Sequence, residues 1–113
     1  MDWRRLITLK HLRMLEAISK SGSLASAAEK LSISPPAITI QLKQLEHYLN
    51  VEIIDRGASG SIKISEIGLE LLSLFRQIDA QITRSFNRVE LLKLGKTRHV
   101  KLGAVSTAQY FCP

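Results

Sequence analysis

The sequence has a single cysteine, Cys112, among its 113 residues. One thiol cannot close an internal disulfide, and the N-terminus lacks the charged, apolar and small-residue order of a secretion signal, so a reducing, cytoplasmic setting is expected. Aromatic residues make up only 5% of the chain, which leaves an aliphatic core as the available kind. Prolines number three, two of them the adjacent Pro35 and Pro36, so long stretches are free of helix-breaking rings. Long hydrophobic runs are missing as well. The most apolar stretch, Ile67 to Phe75, is broken by Glu70 and falls far short of the roughly 20 residues that cross a bilayer, which excludes a membrane span. His11, His47 and His99 are scattered, with no metal-ligand spacing, and Gly57 and Gly60 lack the in-register Lys and Ser or Thr of a phosphate loop. Neither an enzyme nor a protein with a metal or cofactor is expected.

What is present points elsewhere. Apolar residues form 45% and charged residues 23% of the chain, the balance of a globular domain, and a length of 113 residues suits one main core. Sixteen Lys and Arg face ten Asp and Glu, a formal charge of +6 that favours a polyanionic partner such as nucleic acid. The excess is spread, with nine basic against six acidic residues in 1–65 and seven against four thereafter, so a folded surface must carry it rather than a tail.

Helix formers dominate, and the pattern along the chain is mainly α. Leu9, Leu12, Leu15 and Ile18 recur on one helical face, and Gly22 ends that helix. Ser23 stands as the N-cap of a short helix, Leu24 to Leu31, whose Ala27 and Ala28 permit close approach of a neighbour. Ser34 caps a third helix that carries Pro35 and Pro36 in its first turn, where a missing N–H costs little. Its apolar positions Ile38, Leu42, Leu45 and Leu49 form one inward stripe, and Asn50 stops it. Val51, Ile53 and Ile54, then a turn-rich RGASGS, then the alternating Ile62, Lys63 and Ile64 predict a two-stranded wing.

With the inward stripe set, 100° per residue turns Pro36, Ile40, Lys43 and His47 outward, flanked by Thr39 and Gln44. Two helices joined by a short turn over 24–43 match a helix-turn-helix, although periodicity alone fits a plain bundle equally well. The wing and the basic charge favour the former. For single residues such as Lys20 and Lys30, a solvated face is the simpler reading.

From Ser65 and Glu66 a helical pattern runs without proline to about Leu94. Leu71, Phe75, Ile78, Ile82, Phe86, Val89 and Leu92 cover 21 positions in six steps, a mean of 3.5, the period of a coiled-coil seam. Such a stripe needs a partner, and a second copy of the chain is the simplest one. Val100 to Val105 then reads as a strand. The expected organisation is a winged helix-turn-helix over residues 1–65, a long dimerisation helix over 66–94, and a hinge with the first strand of a truncated domain over 95–113.

From Leu6 to Pro113 the sequence resembles the LysR-type transcriptional regulators. The resemblance is carried by LKHLRMLEAI, SGSLASAAEKLSIS, PPAITIQLKQLEHYLNV, the wing beginning IIDRG and the strand VKLGAV, in the family's order and spacing. The terminal GAVSTAQYF is most similar to the subgroup that regulates carbon-fixation operons. This resemblance implies a sequence-specific regulator of double-stranded DNA that binds as a dimer, with a recognition helix in the major groove and the wing at the backbone or minor groove. It implies a homodimer through the linker helix here and a tetramer only for a full-length protein. Residue by residue, it puts Pro36, Thr39, Ile40 and Lys43 at DNA-touching positions of the recognition helix, Arg56 at a DNA-contacting wing position, and Ser23 and Ser34 at helix starts near phosphates. Ser106 and Thr107 would line an effector pocket in a complete protein. The chain departs from the family at Pro35, where a base-reading Gln is common, and at Ile40, where Arg is frequent. Ile54, Glu66 and Ile67 likewise replace the usual Phe, Pro and Ala. Lys43 has two open roles, at a guanine edge or at a phosphate, and Ile40 is either a thymine-methyl contact or a core-edge residue.

Overall fold

Gly22 takes a left-handed backbone conformation, φ 76°, and its N–H donates to the Ile18 carbonyl, which closes one helix and turns the chain toward the next. The computed structural model describes residues 1–56 and 62–102. Seven elements follow in order: helices α1 (Trp3–Leu6), α2 (Leu9–Ser21), α3 (Leu24–Lys30) and α4 (Pro35–Leu49), strands β1 (Ile54–Arg56) and β2 (Ile62–Ile64), and helix α5 (Glu66–Leu102). The helix starts and stops have local causes. Ser23 Oγ accepts from the Ser26 N–H at 3.1 Å and Ser34 Oγ from the Ala37 N–H at 3.3 Å, each satisfying an amide that has no partner inside its helix. Asn50 ends α4 in the left-handed region, φ 54°, which Asn tolerates better than most residues.

The core lies where α2, α3 and α4 cross. Met14, Leu15 and Ile18 from α2, Ala27 and Ala28 from α3, and Ile38, Leu42 and Leu45 from α4 are buried together. Each larger side chain contributes about 1.5–3 kcal/mol by leaving water. The two alanines bring the α3 backbone close to its neighbours, as their size requires. Ile53 and Ile54 extend this core to the wing. In the antiparallel ladder Ile54 faces Ile64, Asp55 faces Lys63 and Arg56 faces Ile62, so the apolar pair turns to the core while exposed Asp55 and Lys63 sit across from each other.

The start of α5 is tied to the base of the wing. Ser65 N–H donates to the Ile53 carbonyl at 2.7 Å, and Ser65 Oγ donates to the Glu52 carbonyl at 2.9 Å while accepting from the Gly68 N–H at 3.2 Å. By internal contacts the chain divides into Met1–Arg76 and Gln77–Pro113. The first eleven residues of α5 thus belong to the head. Leu71 packs against its core, and Leu72 and Phe75 are buried. In the second unit, Ile78 and Ile82 are half-buried and Phe86, Val89 and Leu92 are exposed.

Two features differ from the sequence reading. A single-turn helix, α1, precedes α2; it buries no residue, and its Trp3 ring lies 4.6 Å below the Arg4 guanidinium, so no apolar periodicity announces it. The long helix, expected to end near Leu94, continues to Leu102, so Val100, Lys101 and Leu102 are helical rather than the start of a strand. Gly95 lowers helix propensity by only about 1 kcal/mol, and a helix bonds its backbone within itself whereas a strand needs a neighbour. Residues 103–105 of that expected strand lie outside the described residues. Among the described residues, no helix is long and apolar enough to cross a membrane.

Gly68 leaves no room for a side chain. A Cβ there would sit 2.5 Å from Ile64 Cγ2 and 3.0 Å from both Ile53 Cγ2 and the Ile53 carbonyl oxygen. Gly68→Ala is expected to lower stability, because overpacking of about 1–3 kcal/mol exceeds the gain of up to about 1 kcal/mol from the helix propensity of Ala. Urea unfolding measures the difference; a variant as stable as the parent would mean that α5 and the wing part without cost.

Candidate nucleic-acid interface

α4 buries Ile38, Leu42 and Leu45 on one side, and the helical repeat then sets Pro36, Thr39, Ile40, Lys43, Gln44 and His47 on the exposed side. These are the outward positions the sequence predicts. Ile40 is 59% exposed, between buried Ile38 and Leu42. Thr39 Oγ1 donates to the Pro35 carbonyl at 3.2 Å, which uses its donor and leaves the oxygen as an acceptor beside the methyl.

Lys43 Nζ lies 3.7 Å from Glu46 Oε1, and its side chain is 73% exposed. An exposed pair of this kind contributes roughly 0–1 kcal/mol, so a phosphate can recruit the ammonium at little cost. Glu46 also fastens α4 to the base of the wing, where its Oε2 accepts from the Ile53 N–H at 2.8 Å. A cleft of about 490 Å³ separates α4 from the wing there, and Glu46 and Glu52 in its wall make it a poor seat for an anion.

Ser23 and Ser34 sit at the starts of α3 and α4, their oxygens accepting from helix amides. The hydroxyl protons remain available as donors, the chemistry a phosphate oxygen needs. Arg56 ends β1, paired with Ile62; its side chain falls outside what is described, as do the wing tip at 57–61 and Ser106 and Thr107. α4 brings Pro36, Thr39, Ile40 and Lys43 onto one surface. The seven stripe residues lie on α5, divided between the two units: Leu71 and Phe75 with the head, the rest beyond it.

Two supporting side chains escaped the sequence reading. Glu46 was visible only as an acid three residues after Lys43. His11, buried at the start of α2, accepts from the Thr8 N–H through Nδ1 at 3.0 Å, lies edge-on to Tyr48, and has Nε2 3.4 Å from Gln44 Oε1. That contact joins α2 to the exposed side of α4 across 33 positions of sequence. Among the described residues, no group of three or more His, Cys, Asp or Glu is arranged to hold a metal ion.

Comparison with known proteins agrees with this geometry. Residues 9–69 match the model of the bacterial regulatory helix-turn-helix protein, lysR family. The HTH-type transcriptional regulator CbbR of Xanthobacter flavus is 37% identical over 106 residues, covering 94% of this chain and 32% of its own. A probable RuBisCO transcriptional regulator of Guillardia theta is 36% identical over 107 residues, covering 94% of this chain and 34% of its own. The chain therefore spans about a third of the length of these relatives. Among solved structures, the CbnR DNA-binding domain in complex with DNA is similar at a TM-score of 0.66 and 30% identity, over 74% of this chain and 95% of that one. With more than half of its residues matched by the family model and its fold shared with a member's DNA-binding domain, the chain belongs to the LysR family of bacterial regulatory helix-turn-helix proteins.

Proposed function

We propose that this chain binds double-stranded operator DNA as a homodimer in the cytoplasm and regulates transcription, with α4 in the major groove and the wing residue Arg56 at the backbone or minor groove. The observation that carries this reading is the exposed row Pro36, Thr39, Ile40 and Lys43 on a helix whose opposite side is locked into the head. A similar domain is known bound to DNA, and the formal charge of +6 supplies long-range attraction to a polyanion. Ser23 and Ser34 donate to phosphates and fix the register of the head, work that positions without reading sequence. A RuBisCO operon is the target this reading favours, since a relative from Allochromatium vinosum is named a RuBisCO operon transcriptional regulator. In a full-length protein Ser106 and Thr107 would line an effector pocket, and pairs of dimers would form a tetramer.

Dimerisation is assigned to α5. Phe86, Val89 and Leu92 are exposed and continue the stripe of Ile78 and Ile82, an apolar seam that a second copy covers in coiled-coil fashion. Leu71 and Phe75 stand at the head end of the same stripe.

Lys43 meets a phosphate in this reading, since it lies past the second turn of α4 whereas base contacts in helix-turn-helix proteins concentrate toward the helix start. Lys43→Ala is expected to weaken binding to operator and scrambled duplexes alike and to reduce the salt slope by about 1. Mobility shifts over a salt series measure both; unchanged affinity for the two duplexes would remove Lys43 from the interface. For the dimer, the double substitution Ile82→Asp with Phe86→Asp should yield monomers in sedimentation while the head keeps its fold, because a charge in an apolar seam has no partner. A double variant that associates as tightly as the parent would place the interface elsewhere.

A further inference from the structure

We propose that Ile40 reads a thymine through its C5-methyl group, so that the first turns of α4 select sequence by apolar contact rather than by hydrogen bonding. This rests on the assignment of α4 to the major groove.

The leading end of α4 offers almost no hydrogen-bond donor. Pro35 and Pro36 have no N–H, the Ala37 N–H is held by Ser34 Oγ, and the Thr39 hydroxyl donates to the Pro35 carbonyl. Ala37, Ile38 and Ile40 have no polar side-chain atom. The next polar side chain, Gln41, is half-buried and borders a different cleft, shared with Lys10 and Arg13. The part of a recognition helix that ordinarily reaches base edges is therefore apolar on its outward side.

In the major groove the thymine C5-methyl is the base group that such a surface recognises. Ile40 suits it in three respects. It is the one large apolar residue of α3 and α4 counted as exposed, at 59%. Its burial free energy is unrealised in the free protein and becomes available when a ligand covers it. Its branched Cβ restricts χ1 within a helix, so little rotamer freedom is lost on contact.

The test uses the whole chain and duplexes that it enriches from a randomised pool. Each thymine of an enriched duplex is replaced in turn by deoxyuridine, which removes only the methyl. At one position per half-site, binding by the parent should fall about fourfold, the value of burying one methyl-sized group. Ile40→Ala should bind the thymine duplex about as weakly as the parent binds the uracil duplex and should no longer distinguish the two. On scrambled DNA the difference between parent and variant should be smaller than on the enriched duplex. If no deoxyuridine weakens the parent, or if the penalty persists in Ile40→Ala, the inference fails while the groove assignment stands. Protection of guanine N7 from dimethyl sulfate tests that assignment separately. Absence of protection together with failure of the pool to enrich any sequence would remove the groove reading and the Ile40 contact with it.

Discussion

The peptide groups flanking Ile53 hold the wing and the start of α5 to α4. Its N–H donates to the Glu46 carboxylate at 2.8 Å and its carbonyl accepts from the Ser65 N–H at 2.7 Å, so one residue bonds α4 on one side and α5 on the other. The side chain is fully buried, and Gly68 passes so close that a Cβ would sit 3.0 Å from Ile53 Cγ2. Hydrogen bonds to a charged group are worth about 1.5–3 kcal/mol, and this one is partly buried. The exposed side of α4 and the wing therefore keep a fixed relation although the ladder between β1 and β2 is only three residues long.

The start of α4 is also poor in free amides. A helix start usually offers free amides and a partial positive charge, but α4 begins with two prolines and its next amide is already capped. The exposed polar groups nearby are side chains: Lys43 on α4, lightly held by Glu46, and the hydroxyls of Ser23 and Ser34. The Glu46 carboxylate bonds the wing base through one oxygen and meets Lys43 with the other, so a single acid joins the structural bond to the exposed cation.

Features with local causes were legible in the sequence. Ser23, Ser34, Gly22 and Asn50 cap or stop helices through bonds that span three to five residues, and the stripe of Ile38, Leu42 and Leu45 follows from the helical repeat alone. The exposed side of α4 was legible by subtraction from that stripe. Features with distant causes were not. Nothing near Glu46 in sequence says that it accepts from Ile53, nor that Ser65 bonds back to Glu52, nor that Gly68 must lack a side chain. The same limit applies to α5: one period of 3.5 runs through the stripe, yet Leu71 packs against the core and Phe75 is buried whereas Phe86 is exposed, a division the period does not carry. Beyond Gly95 the alternation of Val100, Lys101 and Leu102 reads as a strand, whereas the helix is the form adopted.

The bonding of His11 has a consequence for the outer surface. Because Nδ1 accepts from the Thr8 N–H, the ring is the tautomer with its proton on Nε2, and that proton points to Gln44 Oε1. The oxygen of Gln44 is thereby engaged by a buried ring while the residue itself stays exposed on α4. A side chain enclosed in the head thus restrains, through one contact, an exposed residue of another helix, so the outer surface of α4 is coupled to the interior beneath it.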